Sequence, residues 1–125
     1  MEKIINLVAR ILLSHIFILA GINKIMGYAG TQGYMESVGV PGMLLPLVII
    51  LEIGGGLAVL LGWQTRLAAY ALAGFTALAA IIFHSNLADQ MQMILFMKNW
   101  AITGGLLLLA VHGAGALSLD NRGKA

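Results

Sequence analysis

Four long apolar stretches divide the chain, and what separates them is short. They run from Ile4 to Met26, Leu44 to Leu61, Leu67 to Phe83 and Ile94 to Val111. Each has about 17–23 residues, the length a helix needs to cross ~30 Å of hydrocarbon. A lone strand would leave backbone groups unpaired in lipid, and no alternating pattern suggests a barrel, so each stretch is predicted to be helical. The expected fold is therefore all-α: one integral-membrane domain spanning residues 1–125, an antiparallel four-helix bundle.

The connections refine this picture. Gly62-Trp63-Gln64-Thr65-Arg66 is so short that spans two and three must form an antiparallel hairpin, with Trp63 anchored at the interface. Ser85 to Met93 is a modest polar loop. Gly27 to Met43 is longer, and within it Thr31 to Val38 is predicted as a short interfacial helix, with Thr31 as N-cap and Gly39 as terminator. Pro46 falls in the first turn of span two, where its missing N–H costs little. Small residues should carry the helix packing: Ala69, Ala73 and Ala77 beside Gly74, Gly54 with Ala58, and Gly104 with Gly105. Met1-Glu2-Lys3 is a weak signal-peptide start, Arg10 interrupts the run behind it, and no clear cleavage site follows, so an uncleaved first span is expected.

Composition supports the membrane class. The chain is 60% hydrophobic and 10% charged, with a mean hydropathy of +0.94, far from the roughly one-quarter charged content of soluble domains. The absence of cysteine excludes disulfides, thiolate metal sites and iron–sulfur clusters within the chain. The pI near 9.2 arises from scattered Lys and Arg rather than a basic stripe, which argues against nucleic acid as a partner. The distribution bears on topology instead. Lys3, Arg66, Arg122 and Lys124, with Arg10 nearby, lie on one side, and Lys24 and Lys98 on the other. The positive-inside rule then puts both termini in the cytoplasm.

Candidate chemistry comes from polar groups inside the spans, where they are expensive and commonly functional. Glu52 is the one carboxylate within a span, about 12 Å from the outer end of span two at 1.5 Å per residue. Lys24, Lys98, Asn99 and His84 fall in the same outer half, one or two from each helix. By depth alone Lys98 is the nearest partner for Glu52, while Lys24 and Arg10 are each about 9 Å away along the membrane normal. Two readings stand side by side. Glu52 and one cation form a pair that fixes helix packing, or these residues line a pocket for a small, oxygen-rich molecule such as a quinone. In the pocket Glu52 would share a proton and a lysine would hold an anionic oxygen. A haem would need two histidines at matching depth, and His15, His84 and His112 are at three different depths. No metal site is expected, because carboxylates and histidines do not cluster. A small transporter fits less well, since neither inverted repeats nor broken helices are visible. His112 and Asp120 read as ordinary interface and tail residues, and Phe96, Met97 and Trp100 as part of an aromatic belt.

Several ordered motifs then carry a resemblance. Gly21-Ile22-Asn23-Lys24, Gly39-Val40-Pro41, Glu52-Ile53-Gly54-Gly55-Gly56 and Gly62-Trp63-Gln64-Thr65-Arg66 resemble the DoxX family of small four-span membrane proteins. The stretch from Lys24 to Glu36, with His84-Ser85-Asn86 and Phe96-Met97-Lys98-Asn99, looks especially like enterobacterial inner-membrane members. The resemblance implies a bacterial inner-membrane location and makes Lys24, Glu52, Arg66 and His84 the family-typical polar positions. It also implies an association with redox or stress responses, since members carry labels such as quinol oxidase subunit or oxidoreductase. This chain has no redox-active cluster of its own. Any oxidoreductase role would need a bound quinone or a partner subunit carrying the electron chemistry. Four short spans enclose little volume, so a homo-oligomer is compatible with the chain, though no residue points to one.

Overall fold

The computed structural model describes residues 1–83 and 88–121. Its elements in chain order are α1 (Glu2–Met26), α2 (Tyr28–Ser37), a 3-10 turn (Gly42–Leu44), α3 (Leu45–Leu61), α4 (Thr65–Phe83) and α5 (Gln90–His112), with no strand among the described residues. The helices α1, α3 with its preceding turn, α4 and α5 are each long and apolar enough to cross a membrane. Isoleucines and leucines stand exposed around all four, among them Leu12, Leu19, Leu47, Ile50, Leu67, Leu78 and Leu108. A soluble protein would bury such a girdle; here its natural solvent is lipid.

The predicted spans hold, with longer helices at several ends. The short interfacial helix also exists, but it begins at Tyr28 rather than Thr31. Thr31 is not its N-cap: the hydroxyl donates back to the carbonyl of Gly27 at 2.9 Å, inside the first turn. Gly39, at φ +87°, ends the segment as expected, in the left-handed region where a Cβ is strained. Pro46 lies in the first turn of α3.

The bundle is built from two closely packed pairs, α1 with α3 and α4 with α5, joined by looser packing of α3 on α4. Phe17, Val59, Leu72, Ala73 and Leu106 form the core where the pairs meet. Of the small residues the spacing selects, Ala69 and Ala73 are buried and Gly105 meets Leu13. Gly54, Gly74 and Gly104 face open space. The tightest contacts between spanning helices are at Gly21, where a Cβ would meet Ile53 Cγ1 at 2.4 Å, and at Gly56, where it would meet Ile18 Cγ1 at 2.8 Å. Both lie between α1 and α3, the pair that carries the buried carboxylate.

Both ends of the described chain lie at one end of the bundle, called here the termini end; α2 lies at the other. The turn from α3 to α4 is closed in a Schellman arrangement, with Trp63 N–H donating to Ala58 O at 2.8 Å and Gly62 N–H to Val59 O at 3.2 Å. The segment after α5 folds back over this turn. Leu119 N–H donates to Leu61 O at 3.0 Å and Asp120 N–H to Gly62 O at 2.7 Å. Asp120 in turn accepts from the backbone N–H groups of Gln64 (2.7 Å) and Thr65 (2.9 Å). Those N–H groups open α4 and have no partner within the helix. Asp120 is thus the cap of α4, supplied from 55 residues away, and not an incidental tail residue.

Candidate functional site

The carboxylate of Glu52 lies on the face of α3 that packs against α1, and its side chain is 5% exposed. Lys24, in the last turn of α1, reaches it: Nζ stands 2.8 Å from Oε1. This is the only ion pair among the described residues. The partner is therefore Lys24 and not Lys98, the nearest candidate by depth. Depth along the normal ignores direction around the helix axis. Lys98 sits on α5, which packs on α4, and its side chain is exposed. Lys24 sits on the helix that packs directly on α3 and spans the difference in depth with its four-carbon stem.

The pair forms the polar floor of a cavity of about 330 Å³ in the half of the bundle nearer α2. Its walls are largely apolar: Phe17 and Ala20 from α1, Val48 from α3, Phe75, Ala79 and Phe83 from α4, and Ile102 from α5. Asn99 of α5 also lines it, with its amide Nδ2 3.4 Å from the carbonyl of Thr76. Buried hydroxyls nearby are satisfied within their own helices, Thr76 by Leu72 O at 2.7 Å and Thr103 by Asn99 O at 2.8 Å. Lys24, Glu52 and Asn99 are thus brought together as the sequence predicts. His84 lies outside the described residues.

The end of the cavity nearest α2 is roofed by that helix. Thr31, Tyr34 and Met35 all line it, and Met35 is buried. Tyr34 stacks on Phe83, with ring centroids 5.5 Å apart and planes 22° from parallel. Sequence reasoning missed this roof. The signal available was the four-residue spacing of Thr31 and Met35, which puts both on one face of a helix once its start is moved to Tyr28.

Arg10 and Arg66 belong to the termini end. Arg10 is 1% exposed and caps the last turn of α3, donating to Val59 O at 3.2 Å and Leu60 O at 3.1 Å; it also donates to Leu117 O of the returning segment. Carbonyls at a helix C-terminus lack partners within the helix and attract a cation. Arg10 thus serves the bundle end and takes no part at Glu52. Arg66, with His112 and Asp120, borders a wide polar recess of about 630 Å³ at that same end. Partial burial works to raise the Asp120 carboxyl. Hydrogen bonds from the Thr65 and Gln64 N–H groups, with the nearby charge of Arg10, outweigh it and hold that carboxyl below its ordinary value.

Fold and site define a small multi-pass α-helical membrane protein in which Lys24 pairs with a buried Glu52 at the floor of an apolar cavity. The DoxX family model matches residues 5–85. The chain belongs to the DoxX family. It is 58% identical to the inner membrane protein YqjF of Escherichia coli (strain K12) over 120 residues, 96% of this chain and 92% of that protein. It is 39% identical to the inner membrane protein YphA of the same strain over 128 residues, 97% and 91% of the two chains. It is 30% identical to the Bacillus subtilis (strain 168) protein named "Putative oxidoreductase CatD" over 119 residues, 92% and 84% of the two. No solved structure matches it.

Proposed function

We propose that this chain is a small-ligand-binding subunit of a redox or stress-response system in the bacterial inner membrane, with both termini in the cytoplasm, and that its cavity takes the ring of a quinone-like molecule. The observation that carries the reading is the meeting of a buried Lys24–Glu52 pair with an apolar, partly aromatic cavity of about 330 Å³. A ligand site is commonly a concave apolar surface with a few placed polar groups. The donor set suits ring oxygens. Lys24 can hold a developing negative charge, Glu52 can hold or release a proton at Oε1, and the Asn99 amide offers a further donor. A bound quinone would supply the electron chemistry that these side chains lack, and a partner subunit would deliver or remove the electrons. The names of the relatives agree with this setting, two of them placing those proteins in the inner membrane and one reading "Putative oxidoreductase CatD".

The test is equilibrium binding of a decyl-substituted benzoquinone to the protein in lipid nanodiscs, for wild type and Glu52→Gln, with helix content followed by circular dichroism. Loss of one charge-assisted contact is worth about 1.5–3 kcal/mol, so affinity should fall by about tenfold or more. Unchanged affinity in a normally folded Glu52→Gln protein would refute the site. The second reading, that the pair exists to fasten α1 to α3, is favoured by its direct 2.8 Å contact across that interface.

A further inference from the structure

Resting on that reading of the cavity, we infer that its ligand enters from the bilayer, through the seam between α1 and α5 gated by Ile16 and Ile102, and is therefore a ring carrying an apolar tail rather than a water-soluble ring. The four spanning helices close on one another unequally. The α1–α3 and α4–α5 seams are tightly packed, the α3–α4 seam is bridged by a short turn, and α1 and α5 barely meet. Their approach is marked by Leu13 against Gly105, where a Cβ on the glycine would sit 3.4 Å from Leu13 Cδ2. One to two turns closer to α2, the same two helices supply Ile16 and Ala20, and Ile102 and Asn99, to the cavity wall.

At that level Ile16 both lines the cavity and is 44% exposed, which points to a wall one side chain thick. Side chains of this kind change rotamer on fast timescales, whereas moving a packed helix is far slower. The opposite route is more obstructed. Toward α2 the cavity is roofed by Met35, 4% exposed, and by the Tyr34–Phe83 stack, with the Tyr34 hydroxyl 3.4 Å from the Phe83 carbonyl. The cavity lies at the lower end of the roughly 300–1,000 Å³ typical of ligand sites. It has room for one substituted ring over the Lys24–Glu52 floor and none for a long folded tail. A tail would have to leave through the thin wall, where it would meet hydrocarbon.

The experiment compares two probes in nanodiscs, a decyl-substituted benzoquinone and its tail-less parent ring. Association and affinity are measured for wild type, Ile102→Trp, which narrows the seam, and Ile16→Ala, which widens it. Wild type should bind the tailed probe more tightly. Ile102→Trp should slow its association by about tenfold and Ile16→Ala should speed it, with the tail-less ring affected much less. Because the two substitutions act in opposite directions, a general folding defect cannot mimic the pattern. A photoreactive group at the tail end should also label wild-type α1 and α5 near Ile16 and Ile102. If both probes bind wild type equally and neither substitution moves the tailed probe, the lateral route is wrong and the cavity reading stands. If neither probe binds wild type, the cavity reading itself fails and the route falls with it.

Discussion

Removing the two halves of the Lys24–Glu52 pair should have unequal costs, and the inequality follows from geometry. The Glu52 side chain is 5% exposed and lies well inside α3, whereas the Lys24 side chain is 28% exposed and sits in the last turn of α1. In Lys24→Met the carboxylate is stranded. A charge at a span centre costs ~2.5–3.5 kcal/mol, and orphaning one member of a buried pair costs ~3–5 kcal/mol. About 2–3 kcal/mol is therefore expected for Lys24→Met. In Glu52→Gln the stranded group is a lysine close to the helix end. It can swing its ammonium toward the interface, and the loss should be about 0.5–1 kcal/mol. The double variant carries no stranded charge and should lose less than Lys24→Met alone, about 1 kcal/mol, which implies a coupling of about 1.5–3 kcal/mol. Reversible unfolding by sodium dodecyl sulfate in mixed micelles, read through Trp63 and Trp100 fluorescence, measures all four proteins. If Glu52→Gln costs as much as Lys24→Met, the stated asymmetry is wrong. If the single effects add to within ~0.3–0.5 kcal/mol, there is no direct pairing.

At the termini end, Asp120→Ala should destabilise by about 1 kcal/mol through loss of the α4 cap. Because the native carboxyl is held below its ordinary value, its contribution is fully present above the unfolded carboxylate range near pH 4. It fades as pH falls through the lower native value, so Asp120→Asn should show a flatter stability profile across that acid range, and identical profiles would contradict the cap. For topology, a C-terminal alkaline phosphatase fusion should be inactive in cells, and an active fusion would place the C-terminus in the periplasm and overturn the orientation.

What the sequence makes legible is whatever one-dimensional position determines. Span length is of that kind, and so is the depth of an ionisable residue. Lys24, Glu52 and Asn99 could be placed in the same half of the bundle from spacing alone. Choosing among cations needs the angle at which each helix presents its side chains and the identity of its neighbour. Depth favours Lys98; packing selects Lys24, because Gly21 on α1 and Gly56 on α3 bring those two helices together. The glycine spacing misled for a related reason. Gly54 and Gly56 are two residues apart on one helix and so face different directions, one to open space and one to Ile18. A repeat of small residues marks a face only after the neighbour of that face is known.

The termini end was illegible for another reason: its interactions join residues far apart in sequence that have no periodic signature. Arg10, Gly62 and Asp120 look unrelated in the chain. In the fold, Arg10 holds the last carbonyls of α3, the backbone of Asp120 holds Gly62, and the Asp120 side chain opens α4. Of these orphaned sets of backbone groups, one is satisfied by Arg10 of α1 and two by the folded-back segment. This changes how the buried arginine is to be understood. A charge inside a span invites a functional reading, but Arg10 already donates to two carbonyls at the end of α3 and to Leu117 O of the returning segment. Among the described residues Glu52 has only Lys24 as a charged partner, and it faces a cavity. What separates the two is the space around each group: Arg10 is enclosed by the backbone it satisfies, whereas Glu52 and Lys24 still have room beside them for a ligand.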